Sequence, residues 1–430
     1  VHQLKGDCIL DYAKQKTNTK WHWMQVVACA AIMFGTMGLI ANSTSVFTAQ
    51  FVAEYGFTTA QSQLFFSIQN ITMVIFTPIA QIIGSKMNYR ACISIAVVLA
   101  GAGLALLSVL TSVPGCYLSS ILYGISYSFI CYLLISIVIA NWFAKKTGTM
   151  MGIASAFTGV GGAIWSIVAG QLCGNLGLQK AALIMSVISI IISLPFALFV
   201  IRQRPEDKNL LPYGYESTPE PSKKGTEPSE KANGLTLKQA VHTPVFWIAV
   251  IAMFLIYFAA QFQTIFTTYA KQELGFGIQV SAVMASMVMI GLIVGKLLLG
   301  MFNDKFGVKA TYIYGVAAGI IAFILFLTAS GSTPVQVYIG AFLFGSCFAL
   351  MSIGTPLLVS QTMGAKEYAK ILSWVLTVGL VANSLASAVN GLMADVLGYN
   401  AIMIMASIML IVALFLVITA ISIAGRKAKK

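Results

Sequence analysis

One lysine, Lys296, stands inside a long apolar stretch of the sequence, between Gly291 and Gly300. All 13 acidic residues lie between such stretches or at their ends, so no carboxylate accompanies this lysine. An ammonium group deep in a lipid bilayer costs about 2.5–3.5 kcal/mol even on the lenient insertion scale. A bound anion would be its natural counter-ion. Alternatively, because Lys296 precedes the end of its stretch by about five residues, or ~8 Å of helix, its side chain could snorkel to water.

Hydroxyl and amide groups recur at helical spacing in four other apolar stretches. Residues three or four apart share a helix face, and this spacing groups Tyr123 with Tyr127 and Cys131, Tyr257 with Gln261 and Thr264, Asn42 with Ser45, and Ser352 with Thr355. Such groups can hydrogen-bond a carboxylate without adding charge, and in lipid they must face a partner or a cavity. We therefore predict that Tyr123, Tyr127, Tyr257, Gln261 and Asn42 contact a substrate. The alternative role for each is packing between helices.

Chemistry of other kinds finds no support in the sequence. It contains no P-loop, no nucleophile–base pair and no metal-binding cluster. The seven cysteines form no CxxC pair, and the three histidines lie outside the apolar stretches. We therefore predict a protein that is not an enzyme, that holds no cofactor or metal, and that is not driven by ATP.

The elements that must position these residues are membrane-spanning helices. Of the 430 residues, 58% are apolar and 9% charged, whereas soluble domains are about a quarter charged. The mean hydropathy is +0.86. At roughly 20 residues per crossing, we predict twelve transmembrane helices in an all-α integral membrane protein: 24–48, 61–83, 91–111, 116–140, 149–173, 180–201, 244–268, 280–301, 310–329, 335–362, 370–393 and 400–424.

The distribution of basic residues predicts the orientation in the membrane. The net charge of +13 would also suit a nucleic-acid-binding protein, but no basic patch with interleaved aromatics is present. If the N-terminus is inside, the outer loops contain only Lys180 and Lys271, and every other Lys or Arg except Lys296 falls on the inner side. This bias follows the positive-inside rule. It predicts a multi-pass protein of the cell membrane, surrounded by lipid, with both termini in the cytoplasm.

One long polar segment, 202–243, divides the apolar stretches into two sets of six. It is rich in Pro, Glu, Lys and Ser and cannot bury a core, so we predict a largely disordered cytoplasmic linker. Its role could be that of a tether or of a partner-binding segment. The predicted organisation is an N-terminal segment 1–23, a first half 24–201, the linker 202–243, a second half 244–424 and a tail 425–430.

The two halves repeat each other. Glu54-Tyr-Gly-Phe57 recurs 219 residues later as Glu273-Leu-Gly-Phe276, and Gly177 matches Gly398 near the other end. Parallel repeats of six helices joined by a cytoplasmic linker are typical of secondary transporters that work by alternating access.

Several strings carry a resemblance to a known family. Asn303-Asp-Lys-Phe-Gly-Val-Lys309 resembles the inner-loop signature of the major facilitator superfamily, whereas the first-half copy has Ser85 in place of the acid. Two other strings resemble the stretches that flank the linker in the oxalate/formate antiporters, relatives of the monocarboxylate transporters: Arg204–Asp207 with Leu210–Gly214, and Leu235–Leu237 running to Thr243–Trp247.

The resemblance implies roles for particular residues. The related transporters bind a carboxylate through a cation at the position of Lys296 in the eighth helix, and they often have a second cation in the first or eleventh helix. This chain offers Asn42 and Asn383 there instead, and a single cation fits a monoanion better than a dianion. The inner-loop residues Asp304, Lys305, Lys309 and Arg90 would brace one conformation of a two-state carrier.

The sequence thus predicts a carrier, functional as a monomer, for a small organic anion. The anion would be a monocarboxylate, moved by exchange or together with protons. No nucleic acid is expected as a partner. Two alternatives remain open at this point: an efflux carrier for neutral or amphipathic compounds, and a membrane sensor that keeps the fold without transporting.

Overall fold

The computed structural model describes residues 19–130, 137–143, 147–208, 210–214, 234–331, 333–364 and 366–428. Within these ranges the chain is almost entirely helical, and its only β-pairings are two isolated bridges. Ten of the described helices are long and apolar enough to cross a membrane. One of them, Ile278–Leu327, is 50 residues long and contains Gly307 at φ 78° and ψ 175°, so it comprises two helices joined at a sharp turn.

The long helices are numbered here in chain order. In the first half they are α1, Thr19–Ile32 continuing through the π-helical Met33–Ala41 into Thr44–Tyr55; α2, Thr59–Lys86; α3, Tyr89–Val109; α4, Val113–Phe129; α5, Thr147–Leu176; and α6, Leu178–Pro195 with the π-helical Phe196–Val200.

The second half repeats this order. It contains α7, Pro244–Ala260, the 3-10 turn Gln261–Thr264 and Phe266–Gln272; α8 and α9, the arms 278–306 and 308–327 on either side of Gly307; α10, Pro334–Phe348, the π-helical Leu350–Gly354 and Thr355–Met363; α11, Tyr368–Leu397; and α12, Tyr399–Ala428. The helix α4 runs into residues outside the described part, and the number of twelve crossings stays a prediction.

The first and last helices are longer than the sequence indicated. Helix α1 begins at Thr19 rather than at 24 because its first turns pack on the first half. There the His22 ring nitrogen Nε2 lies 2.8 Å from the Leu211 carbonyl oxygen, and the Gln25 amide donates to the Val200 carbonyl at 2.8 Å. Helix α12 runs to Ala428, past the predicted end at 424, because Ala, Lys and Arg are strong helix formers.

Both described ends of the predicted linker are ordered. The Tyr213 amide donates to the Trp142 carbonyl at 2.8 Å, and the Leu235 amide donates to the Met363 carbonyl at 2.9 Å. A short helix, Leu237–Val241, follows the second contact. The prediction of disorder was therefore wrong for these ends, since backbone contacts with the α4–α5 and α10–α11 connections hold them. Residues 215–233, and residues 1–18 of the predicted N-terminal segment, lie outside the described ranges.

Backbone geometry repeats between the halves. Gly56 and Gly275 both have φ 68°, and Gly177 and Gly398 have φ 78° and 79°. In this left-handed region glycine pays no steric penalty. The repeat that the sequence suggested is therefore also a repeat of conformation at helix ends.

Two seams join the halves, one between α5 and α8 and one between α2 and α11. In the second seam the Ser67 hydroxyl donates to the Ser384 carbonyl at 2.7 Å, and the Ser384 hydroxyl donates to the Ser67 carbonyl at 3.0 Å. Nearer the helix ends, Gly391 lies so close to α2 that a Cβ there would be 2.8 Å from the Ala60 Cα. Small residues of this kind let helix backbones approach closely.

The contacts between the halves concentrate on one side of the membrane. We call the side where α1 begins and α12 ends the termini face. At the opposite face, α1 and α7 meet through a hydrogen bond from the Lys271 ammonium to the Gln50 side chain, and the Gln63 amide donates to the Thr264 carbonyl at 3.1 Å. Between described residues, no hydrogen bond joins the halves on the termini-face side of the Ser67–Ser384 pair. Among the described residues, hydrogen bonds therefore join the halves at the opposite face and at the level of the Ser67–Ser384 pair, and none joins them at the termini face.

Candidate functional site

Lys296 lies on the α8 face that looks towards α5. Met289, Ile293 and Lys296 follow one another at helical spacing on this face. Three α5 glycines lie so close to α8 that a Cβ would collide with a side chain: Gly170 with Ala282, Gly162 with Met289, and Gly159 with Ile293. Steps of eight and three residues to lower numbers on α5 match steps of seven and four residues to higher numbers on α8, so the two helices run antiparallel with an alternating spacing of three or four residues.

This register ends at Lys296. Continued by one turn, it sets Lys296 opposite Ser155, and continued by two turns it sets Gly300 opposite Gly152. Yet a Cβ at either glycine would meet no described atom within 4 Å. The halves have therefore parted at this point, and Lys296 occupies the last turn before the seam opens towards the termini face.

The Lys296 ammonium has no described partner. The side chain is half-buried, and the single ion pair between described residues is Lys370–Glu367, 2.7 Å apart, in the α10–α11 connection. Surrounding atoms shield Lys296 from water, and no charged side chain among the described residues acts on it. A cation in this position can bind an anion that enters the opening between the halves.

A second polar group lies on α7 and α11. The Gln261 amide donates to the Ser387 hydroxyl at 2.8 Å, and that hydroxyl donates to the Asn383 carbonyl at 3.0 Å. The Asn383 side-chain oxygen is buried and has no hydrogen-bond partner among the described groups. The structure thus brings two of the predicted residues, Gln261 and Asn383, into one cluster, and Ser387 connects them.

Helix interruptions position the predicted amides. Gln261 opens the 3-10 turn of α7, and Asn42 follows the π-helical part of α1, 219 residues earlier, which is the offset of the repeat. The Asn42 amide donates to the Thr158 carbonyl of α5 at 2.9 Å. Discontinuous helices of this kind commonly build binding sites in transporters. The sequence analysis did not predict these interruptions: the turn Gln261–Thr264 contains neither glycine nor proline, and Gly35 and Gly38 of the π-helical part of α1 stand within an unbroken apolar stretch.

Tyr257 is held within the second half. Its hydroxyl donates to the Met351 carbonyl at 2.9 Å and lies 3.4 Å from the Thr355 hydroxyl. Its ring covers Gly379 of α11, where a Cβ would come within 2.5 Å of the ring. In this conformation the residue links α7, α10 and α11.

Tyr123 and Tyr127 are packed inside the first half. Both are buried, and their rings stack with centroids 5.9 Å apart and an interplanar angle of 5°. Tyr123 also meets Phe65 edge-on at 5.6 Å and covers Gly103 of α3. They share a helix face as expected, but in this conformation that face contacts α2 and α3. Cys131, predicted on the same face, lies outside the described residues.

The predicted gating residues make few contacts in this open conformation. Asp304 and Lys305 are exposed, and the Asn303 amide is 3.5 Å from the Asp304 carboxylate. The Lys309 ammonium donates to the Ser422 hydroxyl of α12 at 3.2 Å. The backbone amide of Arg90 donates to the Asn88 side chain at 3.0 Å. None of these four residues forms an ion pair with another described residue.

The α10–α11 connection contains a carboxylate, Glu367, that accepts two hydrogen bonds. Glu367 accepts a hydrogen bond from Lys370 at 2.7 Å and another from the Leu237 amide at 2.7 Å. These two bonds lower the pKa of Glu367 below its usual range. The contact therefore ties the second end of the linker to α11 at neutral pH and weakens when acid protonates Glu367.

An apolar groove of about 480 Å³ lies on the outside of the α2–α11 seam. Its walls come from one helix of each half and include Ile71, Ile75, Val381 and Leu385. The hydroxyls of the two serines in its lining are occupied by their mutual Ser67–Ser384 contacts. This groove can take an apolar chain but offers nothing to an anion.

Comparison with known proteins identifies the architecture. The family model of the Major Facilitator Superfamily matches residues 27–294 and 263–430. Monocarboxylate transporter 12 of Rattus norvegicus is 25% identical over 166 residues, 38% of this chain and 34% of that protein. The MFS transporter asaE of Aspergillus flavus is 23% identical over 230 residues, 53% of this chain and 47% of that protein. The chain thus matches only about a third to a half of the length of these relatives.

Two solved structures share the fold at low identity. The nucleoside transporter NupG superposes with a TM-score of 0.70 at 14% identity, covering 92% of this chain and 98% of NupG. A bacterial homologue of the human lysosomal transporter Spinster, in an inward-facing and unoccupied conformation, superposes with a TM-score of 0.70 at 16% identity, covering 94% of this chain and 97% of the homologue.

Proposed function

Because the chain belongs to the major facilitator superfamily and resembles its monocarboxylate transporters, we propose that it moves a small organic anion across the cell membrane by alternating access. The anion is a monocarboxylate, and the protein works as a monomer with both termini in the cytoplasm. The described conformation is then the inward-open one, since the open side is the termini face.

The observation that carries this proposal is the position of Lys296. Its ammonium is half-buried, has no described acidic neighbour, and lies where the α5–α8 seam opens. An unpaired cation at that depth is costly, and an anion entering between the halves would remove the cost. A single cation favours a substrate with one carboxylate over a substrate with two.

Amides of both halves complete the binding site in this proposal. Gln261 and Asn383 of the second half and Asn42 of the first half stand at or beside the helix interruptions. They supply hydrogen bonds that orient the substrate, and as neutral groups they leave the total charge of the loaded site near zero. Tyr123, Tyr127 and Tyr257 reach the substrate only if their packing changes in another conformation.

In this proposal, closure of the termini face depends on a bound anion because closure buries Lys296. When the termini face closes in the same register, Gly152 meets Gly300 and the lysine is pressed against Ser155. Burying an uncompensated charge costs several kcal/mol, so the empty carrier closes slowly and the loaded one closes fast. This favours exchange of one anion for another. Proton coupling is the alternative, if Lys296 gives up its proton in the empty state.

The inner-loop residues are proposed to act in the closed state of the termini face. Asp304, Lys305, Lys309 and Arg90 lie on that face, and closure would bring the halves close enough for ion pairs. Their lack of ion pairs in the open conformation agrees with this role.

The function is tested by transport in proteoliposomes with labelled acetate and pyruvate. We expect saturable uptake that excess unlabelled monocarboxylate inhibits and that oxalate inhibits far less. If no monocarboxylate is taken up by inserted protein while a neutral amphipathic dye is, the anion proposal is wrong.

The second candidate function, a carrier of amphipathic compounds, is favoured by the apolar groove along α2 and α11, which such compounds could enter from the lipid. If the inserted protein transports neither the monocarboxylate nor the dye, the result would favour the non-transporting membrane sensor.

A further inference from the structure

The second half has a polar cavity of about 450 Å³ at the termini face. It lies between the α8–α9 turn and the termini-face ends of α10 and α12. Its polar lining consists of Asn303, Lys309 and Gln361, and its apolar lining includes Val308 and Ile421. The last two side chains are buried. The cavity therefore combines a buried apolar wall with polar groups from three helices.

Lys309 gives this cavity a positive charge that no described acid neutralises. Its ammonium donates to the Ser422 hydroxyl of α12 at 3.2 Å, and an ammonium group has three donors. No ion pair joins Lys309 to an acid among the described residues. Asp304, the acid of the same turn, is exposed and does not line the cavity. Two donors of Lys309 are thus available to an anion.

The two amide side chains of the cavity can add hydrogen bonds to an anion. Gln361 is exposed and makes no side-chain hydrogen bond with a described group. The Asn303 amide lies 3.5 Å from the Asp304 carboxylate, which is long for a hydrogen bond. An ammonium and two amides around a concave space suit a phosphate group, because its several oxygens accept hydrogen bonds from separate donors.

Two exposed stripes of side chains on membrane-spanning helices end at this cavity. On α9, Lys309 and Ile313 share a face, and Ile313 is 49% exposed. On α12, Phe415 and Ser422 share a face, and Phe415 is 70% exposed. Exposed apolar side chains on such helices contact acyl chains. The bond between Lys309 and Ser422 joins the two stripes at their termini-face ends, so the cation lies at the level of the lipid headgroups.

We propose that this cavity binds the phosphate of an anionic phospholipid, whose acyl chains lie along α9 and α12. In this assignment Lys309 contacts the phosphate, and Asn303 and Gln361 donate hydrogen bonds to its oxygens. Basic pockets between helices on the cytoplasmic side of a membrane bind anionic headgroups in other proteins. A zwitterionic lipid has the same phosphate but also brings a cation, which Lys309 repels. The inference does not depend on the transported substrate.

The test compares two lipids that differ in headgroup charge. Native mass spectrometry of the full chain in neutral detergent, titrated with phosphatidylglycerol or phosphatidylcholine of equal acyl length, measures the affinity of the first bound lipid. We expect phosphatidylglycerol to bind at least about fivefold more tightly, because each basic residue near an anionic lipid strengthens binding by about that factor. Gln361→Lys should raise the affinity for phosphatidylglycerol about fivefold, and Gln361→Glu should lower it about fivefold.

The matched controls are Ser360→Lys and Ser360→Glu. Ser360 is the exposed neighbour of Gln361 and does not line the cavity. The same charges there should change the affinity by less than about twofold, because water and salt screen them. The site is wrong if the Gln361 variants change the affinity no more than the Ser360 variants do, or if the two lipids bind equally well.

Inorganic phosphate and glycerol phosphate distinguish a lipid from a soluble ligand. Neither should displace phosphatidylglycerol even in large excess, because both lack the acyl chains that contact α9 and α12. Displacement by either one would assign the cavity to a soluble phosphate and overturn the lipid assignment. Absence of anion transport would leave these results standing, since no transported substrate is present.

Discussion

Lys296 illustrates how a single side chain acquires a role from its position. From the sequence alone, Lys296 could either bind an anion or extend its side chain to the water at the end of its helix. The α5–α8 register sets it opposite α5 at the point of opening, on the face that looks between the halves. A snorkelling lysine needs only the helix end, whereas this one faces the space through which a substrate would pass.

We expect Lys296→Gln to weaken anion binding by at least about thirtyfold, because removing one partner of a buried charge pair costs about 2–5 kcal/mol. Lys296→Arg keeps the charge and should retain part of the transport. Binding of labelled acetate and its uptake into liposomes measure both effects. Lys180→Gln, an exposed lysine of the first half, serves as the control. If the Lys296→Gln variant takes up acetate at the parent rate, Lys296 does not bind the anion and its side chain only extends to water.

At the scale of helices, the α5–α8 seam shows which contacts the other conformation should form. Gly159 and Gly162 already touch α8, whereas Gly152 and Gly300 meet no described neighbour. Their places in the register indicate that they touch when the termini face closes. Glycine at both positions leaves room for that approach.

Gly152→Val should therefore slow transport by about five- to a hundredfold while leaving anion binding to the open form intact, because overpacking costs about 1–3 kcal/mol in the closed form only. Gly300→Val should act alike. Gly425→Val, at another open helix glycine, is the control. Equilibrium binding measured beside the exchange rate separates the two effects. A loss of binding without a change in maximal rate would show that the seam does not close in this register.

In the whole molecule, the contacts between the two halves link the charge of Lys296 to the change of conformation. The face opposite the termini is closed by hydrogen bonds between the halves, and the termini face is open next to an unpaired cation. If closure requires the charge of Lys296 to be paired with a bound anion, the protein exchanges anions rather than releasing its substrate and returning empty.

Liposomes loaded with unlabelled acetate test this. Internal anion should accelerate entry of labelled acetate by tenfold or more, since about 1.4 kcal/mol of extra cost to the empty carrier already slows its return tenfold. An imposed pH gradient should have a much smaller effect on net accumulation. Steep accumulation into empty liposomes, driven by the gradient, would instead favour proton symport through Lys296.

Local properties of the chain determined the membrane class, the repeat, the family resemblance and the isolated cation. Hydropathy, residue spacing and short motifs are readable one segment at a time, so the isolated position of Lys296 in an apolar stretch and the repeat of glycines between the halves are visible in the sequence. The binding role of Lys296 stays a prediction. The beginning of α1 and the order in the linker ends could not be predicted, because packing against distant segments sets them.

Contacts between helices far apart in the chain were decided only by the tertiary structure. Tyr123 and Tyr127 share the predicted face, but which helices that face meets depends on how α4 crosses α2 and α3. Asp395 looked like an ordinary residue at the end of a helix, yet it bonds to Thr59, 336 residues earlier. Spacing along one helix fixes which side chains share a face. The crossing and register of two helices fix what that face touches, and neither is encoded within a single segment.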